Sequence, residues 1–370
     1  MRIVFTGGGT GGHIYPALAM AQQFKTSYPE ARILFVGTRN GLEAELVPRA
    51  GYQFAAVNSQ GLQRKLTWSN VKAVFKAVSG LQESRLILKE FAPDLVVGTG
   101  GYVCGPVVLM AHMMGIPTAI HEQNAWPGIT NRLLSRVVDL IMVNFPESLP
   151  RFPKAARMTV TGLPIRPEIM GVDRRTGAQR LRLNPNLKTI LVVGGSRGAR
   201  SINQAMLRIL DNYRDCIDLQ IIQVTGTQGY PEMRKGLEDY GLSLGENGNI
   251  RVIPYLYDME NAMAIADLMI CRAGAATLAE ITVKGIPSIL IPYPYASENH
   301  QEYNARALKA KGAAILIKDQ ELNGDSLLME VQQLLEQPKR LTKMAAAAAT
   351  LGRPRAVEEI VALLIDLVSR

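Results

Sequence analysis

Apolar and polar positions fall in blocks along the first half of the chain. Short apolar runs at Arg2–Thr6, Ile33–Val36, Gln53–Val57, Asp94–Gly98, Thr118–His121 and Leu140–Val143 are separated by stretches of helical periodicity. Each run closes on glycine or on a polar cluster, which is the signature of buried strands in a parallel sheet. The first strand opens onto Gly7–His13 and then a helix from about Ile14 to Lys25. A second helix is expected from about Asn70 to Glu90, with Val71, Val74, Phe75, Val78 and Leu81 on one face and Lys72, Lys76 and Arg85 nearby. That stripe suits a core-facing helix, and it also suits a basic amphipathic helix resting on a membrane. The loop before it sets Leu66 and Trp68 beside Arg64 and Lys65, which makes it the stronger candidate for membrane contact.

The second half repeats the pattern. Pro164, Pro167 and Asp173–Arg174–Arg175 mark a linker; Thr189–Val193 is a strand, Gly194–Gly198 a glycine turn, and Ala199–Tyr213 a helix. IVFTGGGTGGH therefore has its counterpart in LVVGGSRGA, and PDLVVGTGGYVCGP in ADLMICRAGAATLAE. The polar His121–Asn124 after one strand parallels Ser297–Gln301 after Ser288–Pro292. From Met344 the chain reads as helical, broken at Gly352 and Pro354 before a last helix, Arg355–Val368. The expected fold is α/β: two Rossmann-like, doubly wound domains at 1–164 and 165–353, facing each other across a cleft, with 354–370 packing back on the first.

Composition narrows the class. With 47% apolar and 20% charged residues over 370 positions, the chain is a folded protein too long for one ordinary core. Cys104, Cys216 and Cys271 are scattered in apolar surroundings, as expected of reduced core residues. No signal peptide is expected, and the apolar window Tyr102–Ile120 is split by Gly105–Pro106, His112 and Gly115–Pro117 into loop, helix and strand. The net charge of +9 is uneven: residues 1–164 carry 16 Lys/Arg against 9 Asp/Glu, or +7, and the remainder 25 against 23, or +2. A basic first half points to an anionic partner, either a phosphorylated substrate or a membrane surface. Nucleic acid is disfavoured, since basic and aromatic residues are not interleaved along one face.

Candidate chemistry gathers where strands end. The stretch Ala266–Glu280 reads as a strand, a tight Arg272–Ala273–Gly274 turn and a helix start whose free N–H groups suit a diphosphate. Thr277 adds a hydroxyl, and Glu280, one turn on, suits the two hydroxyls of a ribose. Gly7, Gly9 and Gly12 fit a G-x-G-x-x-G spacing, yet the second strand ends in Gly37-Thr38-Arg39-Asn40 without the acid that nicotinamide binding requires. Neither is there a Walker lysine. The loop at Thr10, Gly11 and Gly12 is then one that a bulky ligand can approach closely, with His13 at its exit. Four polar residues in His121–Asn124 belong at a crevice rather than in a core.

Taken together, Thr6–His13, His121–Asn124, Gly162–Arg166, Gly194–Ala199 and Arg272–Ala275 closely resemble the bacterial undecaprenyldiphospho-muramoylpentapeptide N-acetylglucosaminyltransferases, over the whole chain. The resemblance implies a GT-B fold and conversion of lipid I to lipid II on the cytoplasmic face of the membrane. The acceptor would sit on the first domain and UDP-GlcNAc mainly on the second. It also implies roles: Ser196 and the backbone of Ala275, Ala276 and Thr277 for the diphosphate, Arg166 and the backbone near Leu256 for the uracil, Glu280 for the ribose. Gln301, Ala275 and Asn124 would reach the sugar, although His300 stands where relatives carry a second glutamine.

The expected reaction is direct displacement at the anomeric carbon by the 4-hydroxyl of the muramoyl sugar, with inversion. His13 is the first candidate for the base and Glu122 the second. No Asp-x-Asp clamp is present, so no obligatory metal is expected; a divalent cation enters at most as a stimulant. Expected partners are UDP-GlcNAc, lipid I, an anionic membrane surface and a cell-wall synthesis complex. The alternatives are a UDP-GlcNAc 2-epimerase of the same architecture, an NAD-dependent oxidoreductase and a non-catalytic sugar-nucleotide-binding scaffold.

Overall fold

The computed structural model describes residues 1–59, 68–152, 157–195, 198–242 and 248–369, of which 68–78 by backbone alone. The Gly61–Thr67 loop, Ser196, and the side chains of Trp68 and of the 71–78 stripe lie outside the described residues.

Seven strands form one parallel sheet: β1 (Arg2–Gly7), β2 (Arg32–Gly37), β3 (Gln53–Ala56), β4 (Leu95–Gly100), β5 (Thr118–Glu122), β6 (Leu140–Val143) and β7 (Arg157–Val160). Their order is β3-β2-β1-β4-β5-β6-β7. A second parallel sheet runs β10-β9-β8-β11-β12-β13. Its strands are β8 (Lys188–Val193), β9 (Leu219–Val224), β10 (Ile250–Ile253), β11 (Leu268–Cys271), β12 (Ser288–Leu290) and β13 (Ala314–Leu316). Both sheets are doubly wound, and in each the strand order reverses once, between β1 and β4 and between β8 and β11. Ligands of such sheets bind beyond the strand C-termini at that reversal.

The chain divides into two compact units, Met1–Ile165 with Arg355–Arg370, and Arg166–Pro354. In the first, side chains from both faces of the sheet are buried, which is why its strands read as unbroken apolar runs. Ile3, Phe5, Leu95 and Val97 pack against Ile14, Met20 and Phe24 of the helix Gly11–Ser27, and against Ile360, Val361 and Leu364 of the last helix, Ala356–Val368. Val4, Val96, Ile120 and Ile141 face Leu88, Val107 and Val108 on the other side. In the second unit Ile190, Val192, Ile221, Ile270 and Ile289 pack against Ile202, Met206 and Val331.

Four strands escape the apolar pattern. β7 and β10 are half-buried edges and β13 is three residues long. The run of β9 is interrupted by Gln220 and Gln223, both buried. Their amide N–H groups find acceptors, Gln220 donating to Asn184 O and Thr189 Oγ1 at 3.0 Å and Gln223 to Asn203 Oδ1 at 3.1 Å. The window Tyr102–Ile120 resolves into a helix, Cys104–Met113, and β5. Among the described residues no helix is long and apolar enough to cross a membrane.

Candidate functional site

The first helix begins at Gly11, three residues before the pattern predicts, because the N–H groups of a first helical turn need no partner within the helix and glycine is tolerated there. Thr10 is its N-cap but makes no side-chain capping bond, so the amides of Gly11 and Gly12 face outward from a helix end. His13 lies in that first turn. Its Nδ1 is 2.9 Å from Gly8 O and 3.3 Å from Thr10 Oγ1. A carbonyl can only accept, so the proton sits on Nδ1 and the lone pair on Nε2. Burial pulls the imidazole below the ordinary histidine range, against the Gly8 bond and the charge of Glu43.

The glycines after β4 make room for this corner. A Cβ on Gly100 would lie 2.8 Å from the His13 ring, and one on Gly101 2.4 Å from Gly8 O. Both also have positive φ, +111° and +84°. Thr99 and Gly100 belong to β4 itself, so the strand runs two residues past its expected end. Cys104 closes the corner from below: its Sγ lies 2.9 Å from Thr6 O and 3.0 Å from Gly100 O and accepts from Gly100 N at 3.1 Å. Burial pushes its thiol up to about 12, although the neighbouring hydrogen bonds act the other way, so it remains protonated and unreactive.

The segment His121–Asn124 corrects the expectation of a polar crevice. His121, Glu122 and Gln123 are buried, and each makes internal hydrogen bonds. His121 Nε2 donates to Gly162 O at 2.8 Å, and Gln123 Nε2 to Thr99 O at 2.8 Å. Burial pulls His121 down to about 4, partly countered by the Gly162 bond, which keeps it neutral. Both oxygens of Glu122 are engaged: Oε1 accepts from Asn124 N at 3.0 Å and Asn124 Nδ2 at 3.3 Å, Oε2 from Gly128 N at 3.1 Å and Asn131 Nδ2 at 2.8 Å. Burial raises its carboxyl pKa, with these four donors opposing the shift. Such a carboxylate pins the loop that follows β5; Asn124 is half-buried above it.

In the second unit two helix N-termini meet the strand reversal. Ala199 caps the helix Arg200–Asn212 after β8, and Gly274 caps Ala275–Lys284 after the neighbouring β11; neither helix has a side-chain cap. Gly198, at φ +77°, could carry no Cβ, which would fall 2.0 Å from Thr225 O. The turn before Ala275 is held by Arg272, whose Nη1 donates to Ile291 O, Pro292 O and Asp319 and whose Nη2 donates to Ser201 Oγ at 3.0 Å. Asn304 Nδ2 donates to Ala273 O at 3.2 Å. Thr277 is half-buried and Ala276 exposed.

Glu280 is 9% exposed and its Oε1 accepts from Arg166 Nε at 2.8 Å. Two residues 114 positions apart are thus brought together. Burial opposes the Arg166 charge, but the bond and charge of Glu280 outweigh it and raise its pKa. Leu256, beyond β10, is half-buried between exposed Tyr255 and Tyr257. Gln301, in the helix His300–Ala310, is tied to its own loop by Tyr293 N donating to Oε1 at 2.9 Å, and His300 Nδ1 donates to Ser297 O at 2.8 Å.

One residue escaped sequence reasoning altogether. Glu43, 2% exposed, accepts at Oε1 from Thr38 N (2.9 Å) and Thr38 Oγ1 (2.7 Å), and at Oε2 from Gly9 N (3.1 Å). It starts the helix Glu43–Arg49 and reads in sequence as an ordinary acidic first-turn residue. The only available signal was its proximity to the bare Gly41.

The glycosyltransferase family 28 N-terminal domain matches residues 3–143 and the C-terminal domain of the same family residues 189–360. The chain is 50% identical to the UDP-N-acetylglucosamine--N-acetylmuramyl-(pentapeptide) pyrophosphoryl-undecaprenol N-acetylglucosamine transferase of Desulforamulus reducens, over all of both chains. It is 54% identical to the enzyme of the same name from Desulfitobacterium hafniense, over 99% of both. Among solved structures it is similar to the crystal structure of Acinetobacter baumannii MurG, with a TM-score of 0.81 and 30% identity over 99% of both chains.

The packing at β4 predicts a contrast between two glycines. Gly101→Ala should cost about 2 kcal/mol or more through the clash with Gly8 and its positive φ. Gly128→Ala, with φ −62° and nothing within 4 Å of a new Cβ, should change stability by less than about 0.5 kcal/mol. Urea unfolding of both variants measures the difference; equal effects would contradict the packing.

Proposed function

The chain belongs to the UDP-N-acetylglucosamine--N-acetylmuramyl-(pentapeptide) pyrophosphoryl-undecaprenol N-acetylglucosamine transferases of glycosyltransferase family 28, and from that premise we infer that it transfers GlcNAc from UDP-GlcNAc to lipid I, giving lipid II. Identity of this extent favours transfer over the 2-epimerase and oxidoreductase alternatives.

The observation that carries the donor assignment is the pair of uncapped helix N-termini after β8 and β11, with Glu280 one turn along the second. The diphosphate takes the amides of Ala275, Ala276 and Thr277, and Glu280 takes the ribose hydroxyls with Oε2, since Oε1 is held by Arg166. Arg166 and the backbone near Leu256 address the uracil; Gln301, Ala275 and Asn124 address the sugar. The glycine loop of the first unit is the poorer diphosphate site, because Gly9 N–H already serves the Glu43 carboxylate and a second anion there would be repelled. Ser196 keeps its expected role at the diphosphate, although it lies outside the described residues.

His13 is the base in this reading. Its Nε2 lone pair takes the proton of the muramoyl 4-hydroxyl as the oxygen attacks the anomeric carbon and the bond to the β-phosphate oxygen breaks, inverting the centre. Glu122 is set aside as the base, because all its accepting positions are used to hold the loop from Asn124 to Asn131. The charge on departing UDP is met by backbone amides, so an obligatory metal is not part of the proposal. Because the acceptor is lipid-linked, we place the protein peripherally on the cytoplasmic face of the membrane. Supporting this are the basic first half and the exposed Leu86, Met113, Ile129 and Leu133, on three helical segments of which the middle one, Cys104–Met113, packs against both others.

Incubation with labelled UDP-GlcNAc and a short-chain lipid I analogue should yield the disaccharide and UDP, in EDTA as well as without it; UDP-ManNAc as the product would point to the epimerase instead. His13→Ala should lower turnover by about 10²-fold or more. The acid limb of kcat/KM should fall below pH 6.5, since burial depresses the imidazole pKa and only the neutral form accepts a proton. Near-normal turnover of the variant would remove His13 from the role. Glu280→Ala should raise the UDP-GlcNAc KM about tenfold. In a cycle with Arg166→Ala the two effects should fall short of additive, because the partners touch; an unchanged KM would reject the ribose assignment.

A further inference from the structure

Gly9 N–H donates to Glu43 Oε2 at 3.1 Å, and Gly8 O accepts from His13 Nδ1 at 2.9 Å. That N–H and that carbonyl belong to one peptide unit. A carboxylate, a peptide and an imidazole are therefore strung on a single line of hydrogen bonds. The two ends of a peptide share one resonance system. An anion accepting from the N–H end shifts electron density toward the oxygen and strengthens the bond made there.

Taking His13 as the base, we propose that Glu43 is the positioning residue behind it, acting through the Gly8–Gly9 peptide to fix the Nδ1–H tautomer, aim the Nε2 lone pair and stabilise the imidazolium formed when the acceptor hydroxyl gives up its proton. The arrangement corresponds to the carboxylate–imidazole pair of a hydrolase triad with a peptide inserted between its members.

Four features support this role over a merely structural one. The carboxylate cannot swing, because Thr38 N and Thr38 Oγ1 hold the other oxygen at 2.9 and 2.7 Å. The chain leaves space for it: a Cβ on Gly8 would lie 2.4 Å, and one on Gly41 2.2 Å, from Glu43 Oε1. A neutral amide would satisfy Thr38 equally well but would turn its NH2 toward Gly9 N–H, so the line calls for an acceptor on both arms. The peptide is fixed from its other side as well, with Gly8 N donating to Gly100 O at 3.3 Å and Gly101 bare against Gly8 O.

The titratable groups around this corner are Glu43 from the helix Glu43–Arg49, Tyr102 from the turn after β4, Cys104 at the start of the helix Cys104–Met113, and Tyr15 on the helix of His13 itself; His121 and Glu122 stand one strand further across the sheet. Of the groups on packed elements, Glu43 is the one whose charge favours protonated His13, against the burial that disfavours it.

The test is an NMR titration of the full-length protein with isotope-labelled histidine. With four histidines, the His13 signals are assigned by their loss in His13→Asn. In the wild type, above its pKa, His13 should be the Nδ1–H tautomer. In Glu43→Gln its pKa should drop, the acid limb of kcat/KM should move to lower pH with it, and kcat should fall about tenfold, a fraction of the loss in His13→Ala. The KM for UDP-GlcNAc should change less than about twofold, as Glu43 lies outside the proposed donor site. An unmoved His13 titration in folded Glu43→Gln, or an Nε2–H tautomer in the wild type, would overturn the coupling. Once the signals are assigned, the tautomer is read in the wild type, so the outcome does not depend on Glu43→Gln folding. If His13→Ala retained turnover while the His13 titration still moved in Glu43→Gln, the assignment of the base would fail and the Glu43–His13 coupling would stand.

Discussion

A helix cannot bond the N–H groups of its own first turn, and a parallel sheet sends its connecting helices off from one edge. Doubly wound topology therefore collects unsatisfied amide donors beside the two central strands. Much of the functional architecture here follows from keeping those donors within reach. Side chains are stripped from the loops in front of them at Gly7–Gly9, Gly100–Gly101, Gly194–Gly195 and Gly198. Buried or half-buried side chains then hold the loops in place from behind: Glu43, Cys104 and Glu122 in the first unit, Arg272, Asp319 and Asn304 in the second.

The two halves share a topology and diverge in electrostatics. In the first, an acid grips the glycine loop and an imidazole leans on the same peptide. In the second, the loop after β11 is braced by a guanidinium paired with Asp319, and the adjacent helix start is left uncapped. Glu280 there has its charge balanced by Arg166. One scaffold thus carries two different sets of buried contacts at its strand ends, through a handful of side chains rather than through any change of fold.

Strands with unbroken apolar runs were legible because both of their faces are buried, and the glycine turns because nothing else fits where backbones touch. The internal likeness of the halves was legible too: β1 matches β8, and β4 matches β11, in sheet position as in sequence. Legibility failed where polar groups are buried. Gln220 and Gln223 masked β9, and His121–Gln123 looked like a crevice, because a polar residue in sequence carries no mark of whether a partner awaits it. Glu43 illustrates the same limit: the acid missing at the end of the second strand arrives six residues after Gly37, and from there reaches the glycine loop rather than a ribose.

The sequence by itself determined the α/β class, the doubled unit and the glycine loops, since each of these is set by local sterics or by a periodicity that repeats along the chain. Only the tertiary structure decided which groups face one another: Arg166 with Glu280, Asn304 with Ala273, Glu43 with the peptide that His13 holds. Such pairs join positions far apart along the chain through hydrogen bonds whose worth depends on burial and on angstrom-scale geometry. Both exist only after the sheets have formed and brought the strand ends together.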